Sequence, residues 1–384
     1  MKTLYPFGFN IFYFAGIAFF NPFLVLYFQR VGLTGAEIGV IGGIAPLLTL
    51  VSVPFWTGLA DSTHHHRLVM SMAILMGAVS AAALGLFSTF VPIFLAVISF
   101  AFFFPPAASF ADSATMFMLG NKKEMYGRVR MGGTFGFGIA ATLAGFVAQS
   151  YGLNYAFWVC AGLWLITLLA SQKLDYRPAQ ANAQPVGSMR ALVKNPRWLF
   201  FLLIAFVGGL GFAALANFFL PLMREVGANE STMGIALSLG TFAELPVFFF
   251  GNTLLRIFKP SGLLIFAVVM TAVRMLLLAI STTPELVLIF QVLNGLTFPA
   301  LWLAGVAYAD QNAPVGRGAS AQGLFGAMVF GIGPAVAGFI GGPLLTSVGG
   351  RGLFLVFGSI VLVTVALAAI LQRRLPTTLA QENV

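Results

Sequence analysis

The chain is 384 residues long, 59% hydrophobic and only 8% charged, with a formal net charge of +9. Ordinary soluble domains carry about 25% charged residues, so a fold of this length in water would lack the polar surface to cover its core. The composition excludes a soluble globular protein, and hydrocarbon is the solvent it implies. The single cysteine, Cys160, excludes an intramolecular disulfide framework and a cysteine-based zinc site.

A membrane-spanning helix needs about 20 mostly apolar residues, because lipid offers the backbone no hydrogen-bond partner. Twelve such stretches are predicted, over residues 6–29, 36–60, 67–88, 91–118, 127–149, 153–171, 197–222, 232–256, 261–281, 284–309, 317–345 and 350–372. The fold class expected is an all-α integral membrane protein of two six-helix halves. The first stretch runs on past Tyr27 without a small-residue cleavage site, so it reads as a retained helix and not a signal peptide. Between the second and third spans lie Gly58, Asp61, the tract His64, His65 and His66, and Arg67. Three adjacent histidines suggest metal, but beside Asp61 and Arg67 a solvated loop is the expectation. Asp112 lies in the fourth span. The fifth opens on Tyr126-Gly127-Arg128-Val129-Arg130-Met131 and carries Gly132, Gly133, Gly136, Phe137 and Gly138.

Residues 172–196 contain Pro-Ala-Gln-Ala-Asn-Ala-Gln-Pro and no apolar period, and read as a linker. They divide the chain into an amino-terminal bundle, 1–171, and a carboxy-terminal bundle with a short tail, 197–384. The eighth span holds Ala243-Glu244-Leu245, the ninth Arg274, and the tenth Gln291-Val292-Leu293-Asn294 followed by Thr297. The eleventh opens on Val315-Gly316-Arg317, an echo of Tyr126-Gly127-Arg128, and contains Gly323, Gly326, Gly331 and Gly333. Weak internal duplication of this kind is typical of transporters whose site lies between two repeats at the bilayer midplane.

Basic residues stay on the cytoplasmic side of a membrane. With the amino terminus inside, fifteen of the twenty Lys and Arg fall in the tails and inner loops; Arg30, Arg224 and Arg351 fall outside, and Arg130 and Arg274 lie within spans. Both termini are therefore expected in the cytoplasm, in a bacterial inner membrane. The positive balance becomes a topology signal, with lipid headgroups as its partner and no role for nucleic acid. Charge within lipid costs several kcal/mol per group even on lenient scales, roughly 2.5–3.5. Asp112, Arg130, Glu244 and Arg274 form a neutral set expected to pair around one cavity. The competing reading is that they only pin helices together. The glycines read as helix-packing surfaces. No phosphate-binding loop, nucleophile elbow or metalloprotease helix occurs, so neither an enzyme nor a cofactor is expected.

Gly58-Leu59-Ala60-Asp61, with Arg67 six residues beyond the aspartate, resembles the signature loop of the major facilitator superfamily. In that family the aspartate pairs with a basic residue and latches the cytoplasmic side, which implies a gate at Gly58, Asp61 and Arg67. The fifth-span motif, with Asp112 eighteen residues before Arg130, is similar to the oligosaccharide:proton symporter branch that includes lactose permease and the 3-phenylpropionate permease group. The resemblance implies substrate binding by Asp112, Arg130, Phe137 and Asn294, and proton coupling by Glu244, Arg274 and Asp112. Phe137 replaces the tryptophan that stacks on sugar in lactose permease. Asn294 and Thr297 replace a histidine and a glutamate, so the titratable load falls on Glu244 and Asp112. The function implied is proton-coupled uptake of a sugar, nucleoside or aromatic acid by a monomer whose partners are substrate, protons and lipid. An efflux antiporter and a non-transporting receptor or scaffold stay open as alternatives.

Overall fold

The computed structural model describes residues 3–120, 122, 125–176, 195–314 and 317–372. The chain between residues 177 and 194, in the expected linker, lies outside them, as do Val315, Gly316 and residues 373–384 of the tail. Among the described residues twelve helices follow one another: α1 (Leu4–Arg30), α2 (Gly35–Thr63), α3 (His66–Leu84), α4 (Phe90–Leu119), α5 (Tyr126–Tyr151), α6 (Leu153–Ser171), α7 (Pro196–Glu225), α8 (230–258), α9 (260–280), α10 (Pro284–Asn312), α11 (318–348) and α12 (350–372). Two junctions are a single residue long. Lys259, at φ 57° and ψ 157°, separates α8 from α9, and Gly349, at φ 74°, separates α11 from α12. Pro260 disfavours helical backbone at Lys259, and glycine takes the left-handed conformation at Gly349 without steric cost.

These boundaries lie close to those predicted, with one informative difference. The third helix stops at Leu84 instead of 88, and the buried Tyr27 hydroxyl lies against its end, 2.9 and 2.6 Å from the Leu84 and Phe87 carbonyl oxygens. Several helices are interrupted where proline removes a backbone donor. A 3₁₀ turn at Asn21–Phe23 breaks α1, Pro105 and Pro106 break α4, α8 breaks at Glu244 before Pro246, and a 3₁₀ turn at Val292–Leu296 precedes Pro299 in α10.

Helices α1–α6 and α7–α12 form two six-helix halves. In the first, α1 packs on α5 and α6; in the second, α7 packs on α9, α11 and α12. The halves meet along two seams, α2 on α11 and α5 on α8. Both use glycine for close approach. A Cβ at Gly338 would lie 2.2 Å from the Gly42 carbonyl carbon, and one at Gly145 2.3 Å from the Glu230 carbonyl oxygen. Polar groups reinforce the second seam, where Thr142 and Ser238 hydroxyls pair at 2.6 Å and the Ser231 amide donates to Gln149 at 3.1 Å. Both seams lie at the end of the bundle away from the start of α1. Among the described residues, no helix contact of that extent joins the halves at the end where α1 starts and α12 finishes. The structure is therefore closed at one face and cleft at the other, here called the terminal face.

Of the glycines expected to pack, Gly132 and Gly136 meet the α1 backbone, Gly133 meets Phe14, and Gly138 meets Phe242. Gly331 meets Leu50 and Gly333 meets the α7 backbone, whereas Gly323 and Gly326 face open space. Exposed apolar side chains such as Ile139, Leu143 and Phe146 on α5, and Leu355, Val363 and Leu367 on α12, form the outer surface that lipid must cover.

Candidate substrate and coupling site

The arrangement on α5 decides where Arg130 points. Gly132, Gly133 and Gly136 face α1, Gly138, Thr142 and Gly145 face α8, and Phe135, Ile139 and Phe146 form an exposed apolar face. Arg130, Thr134 and Phe137 follow at four- and three-residue spacing and share the remaining face. That face lies between α1 of one half and α8 of the other, so it looks into the cleft. Phe137 is half-buried there, against the apolar core.

Asp112 approaches Arg130 with its Oδ1 3.9 Å from Nε, and the two side chains are 42% and 38% exposed. This is a loose, wet ion pair. The rest of the guanidinium is held from α1: Nη1 donates to Asn10 Oδ1 at 3.2 Å, and the group lies 4.3 Å from the centroid of the Phe14 ring. The Tyr126 hydroxyl stands beside both charges. Cation–π contact orients the guanidinium without neutralising it, so the group stays available to a ligand.

The carboxy-terminal cluster is built differently. Arg274 is 3% exposed in the otherwise apolar α9. Its Nη2 donates to Gln291 Oε1 at 2.7 Å, and its Nη1 to Asn294 Oδ1 at 2.5 Å and Thr297 Oγ1 at 3.4 Å. Asn294 in turn donates through Nδ2 to Glu244 Oε1 at 2.8 Å and to the Gly240 carbonyl at 3.0 Å. Glu244 and Arg274 are thus linked through the amide of Asn294. Both ends of the link sit where a helix is interrupted, Glu244 before Pro246 and Asn294 in the 3₁₀ turn before Pro299. Gly295 lets α10 reach α8: a Cβ there would lie 2.1 Å from the Ala243 carbonyl oxygen. The Arg274 Nε finds no protein partner among the described residues.

The four membrane-depth charges pair inside their own halves, one pair direct and one relayed. At the terminal face, Asp61 takes His66 as its partner, with Nε2 2.8 Å from Oδ1. Arg67 instead donates weakly to the Leu174 carbonyl at 3.4 Å. The histidine tract is only partly the expected solvated loop. His64 and His65 are exposed, but His66 is buried at the start of α3 with its ring edge-on to Phe110, because α3 begins there and turns it inward. An added Cβ at Gly58 meets nothing within 4 Å, so packing does not account for that glycine.

Asn10 and Phe14, beside Arg130, have no role in the sequence-based expectations, and Tyr126 and Gln291 figure there only as members of the fifth- and tenth-span motifs. The signal for Asn10 was present, since it is the one polar amide in the apolar stretch from Leu4 to Phe20. Phe14 carried no signal among 41 phenylalanines.

Residues 7–356 match the sequence pattern of the family described as "MFS_1 like family". The chain belongs to that family. It is accordingly a transporter of the major facilitator class and not an enzyme. It is 27% identical to an uncharacterized transporter, YwbF, of Bacillus subtilis over 91% of this chain and 88% of that one. It is 26% identical to a probable 3-phenylpropionic acid transporter of Escherichia coli over 91% of this chain and 93% of the relative. Among solved structures, the nucleoside transporter NupG, in a point variant, superposes with a TM-score of 0.87 at 18% identity, covering 96% of this chain and 99% of that one. That likeness shows the fold alone.

Proposed function

We propose that this transporter is a proton-coupled symporter that takes up a small polar or aromatic organic solute by alternating access. The observation that carries the reading is the chain Glu244–Asn294–Arg274, in which a half-buried carboxylate and a buried guanidinium share one amide without touching. The free energy of protonating a carboxylate depends on how near a cation stands. Rocking one half against the other acts on α8 through its seam with α5, and the break in α8 at Glu244 lets that helix flex against α9 and α10, so proton binding at Glu244 depends on which face is open. Asp112 and Arg130, loosely paired on the cleft wall, serve as substrate ligands, with Phe137 and Asn294 beside the path. The names of the relatives, among them an aromatic acid transporter and the maltose permease of Geobacillus stearothermophilus, support a small organic solute. With both termini in the cytoplasm of an inner membrane, as the basic residues favour, the cleft faces inward and the glycine seams close the outer side. Asp61 with His66, and Arg67, then lie where a cytoplasmic gate works.

The test is substrate-induced pH change in proteoliposomes. Uptake accompanied by protons is expected, and Glu244→Gln is expected to abolish accumulation against a gradient while leaving downhill exchange intact. Glutamine keeps size and hydrogen bonding but cannot titrate. Substrate movement without protons would make the protein a uniporter and remove Glu244 from the coupling role. Proton release in the opposite sense would make it an antiporter.

A further inference from the structure

Four aromatic side chains from three helices of the carboxy-terminal half meet near the polar cluster. Phe212 of α7 stacks on Phe298 of α10, with centroids 4.5 Å apart. Trp302, one turn further along α10, lies 5.2 Å from Phe330 of α11, which also stands edge-on to Phe212 at 6.0 Å. None of the four is fully buried, and Phe330 is 40% exposed. Phe330 sits in a π-helical turn, Met328–Ile332, a backbone irregularity that often marks functional positions.

The packing around these rings shows which way they look. On α10, Leu301 meets Gly208 of α7 and Leu303 meets Gly251 of α8, while the buried Ala300 and Ala304 lie on the face away from Phe298 and Trp302. On α7, Gly208 meets α10 and Gly209 meets α11, so Phe212, three and four residues on, lies over the gap between them. On α11, Gly331, next to Phe330, touches Leu50 of the opposite half. The rings thus lie on the inner side of their half, turned toward the cleft. They are one helical turn from Asn294 and Thr297.

We propose that this aromatic wall is a binding subsite for the planar ring of the transported solute. The polar end of that solute meets Arg130 and Asp112 on the facing wall. The substrate is then an amphipathic aromatic or heteroaromatic compound, and saturated sugars are excluded as preferred cargo. An offset ring gains over a saturated ring of like area from the quadrupoles of Phe330 and Trp302. The guanidinium over Phe14 leaves the opposite wall polar. The inference rests on the reading of the cleft as the substrate path and sharpens its substrate class.

The test uses the full chain in detergent and isothermal titration calorimetry with four probes: 3-phenylpropionate, 3-cyclohexylpropionate, uridine and maltose. A ring compound is expected to bind, and the phenyl acid to bind roughly three- to tenfold more tightly than its cyclohexyl analogue. Trp302→Leu is expected to remove that preference. Binding of maltose alone, binding of none of the four, or a phenyl preference that survives Trp302→Leu would each overturn the proposal. A second variant guards against misfolding. Phe330→Cys, in a chain whose native Cys160 is buried, is expected to react with a water-soluble maleimide and to be protected by the bound ring compound. An unreactive cysteine shows the wall to face lipid or core and sinks the subsite. Proton-coupled uptake of a ringless solute leaves the transport reading standing and this inference fallen. A ring compound that binds at the wall but never crosses the membrane does the reverse.

Discussion

In the amino-terminal half, Asp112 and Arg130 stand 3.9 Å apart with side chains 42% and 38% exposed. In the carboxy-terminal half, Arg274 is 3% exposed and hydrogen-bonded to three side chains, and Glu244 reaches it only through Asn294. The two halves hold formally similar charges at similar depth in different surroundings. A wet pair with one long contact contributes little to stability, about 0–1 kcal/mol, and is easily opened by a ligand. A largely buried, hydrogen-bonded cluster cannot lose its arginine without leaving buried polar partners unpaired. In the proposed mechanism, adaptation to a solute falls to the first arrangement and a two-state protonation switch to the second.

The comparison breaks most readily at the arginines. Arg274→Ala is expected to destabilise the protein by about 3–5 kcal/mol, because Gln291, Asn294 and Thr297 lose their common partner and Glu244 the cation beyond Asn294. Arg130→Ala is expected to stay within about 1 kcal/mol of the parent while abolishing substrate binding. Thermal unfolding in detergent alongside a binding titration separates them; equal destabilisation would erase the distinction between the halves.

A smaller effect is expected at Gly295. A Cβ there meets the backbone of Ala243 at 2.1 Å from its carbonyl oxygen, so α8 and α10 must move apart. Gly295→Ala should cost about 1–3 kcal/mol, the usual range for overpacking, and should slow proton-coupled uptake more than downhill exchange. Unchanged thermal midpoints would mean that the α8–α10 approach is softer than the geometry indicates.

Asp112→Asn keeps size but removes the charge facing Arg130, and is expected to weaken substrate binding about tenfold, or 1.4 kcal/mol. Glu244→Gln should leave binding nearly unchanged in the same titration, and a reversed order would exchange the roles of the two carboxylates. The smallest effect is expected at Arg67, whose side-chain hydrogen bond to the Leu174 carbonyl is long at 3.4 Å. Arg67→Ala should alter stability by less than about 0.5 kcal/mol, spare binding, and slow turnover. His66→Ala, which strips Asp61 of its 2.8 Å partner, should slow turnover more.

Much of the fold was legible because lipid makes the rule simple. Backbone groups in hydrocarbon must pair within a helix, so long apolar runs interrupted by Lys259-Pro260 or Gly349-Gly350 announce their own boundaries. The candidate charges were legible for the same reason: Asp112, Arg130, Glu244 and Arg274 are conspicuous in apolar surroundings. Their partners were not. The choice of His66 over Arg67 for Asp61 depends on which residue begins α3 and faces Phe110. Phe14 and Phe330 were hidden among many rings of identical chemistry.

By itself, the sequence determined the solvent, the number of helices, the division into halves and the residue types able to hold a charge or a proton. These depend on composition and on the local backbone's need for hydrogen bonds. Only the tertiary structure decided that Asn294 stands between Glu244 and Arg274, that Arg130 rests on Asn10 and Phe14, and that the halves close at one face and part at the other. Those facts depend on how closely α8 approaches α10 and how α5 is rotated between α1 and α8. Helix rotation and approach are set by non-local contacts such as Gly295 on Ala243 and Gly136 on Ile11, which no local pattern encodes.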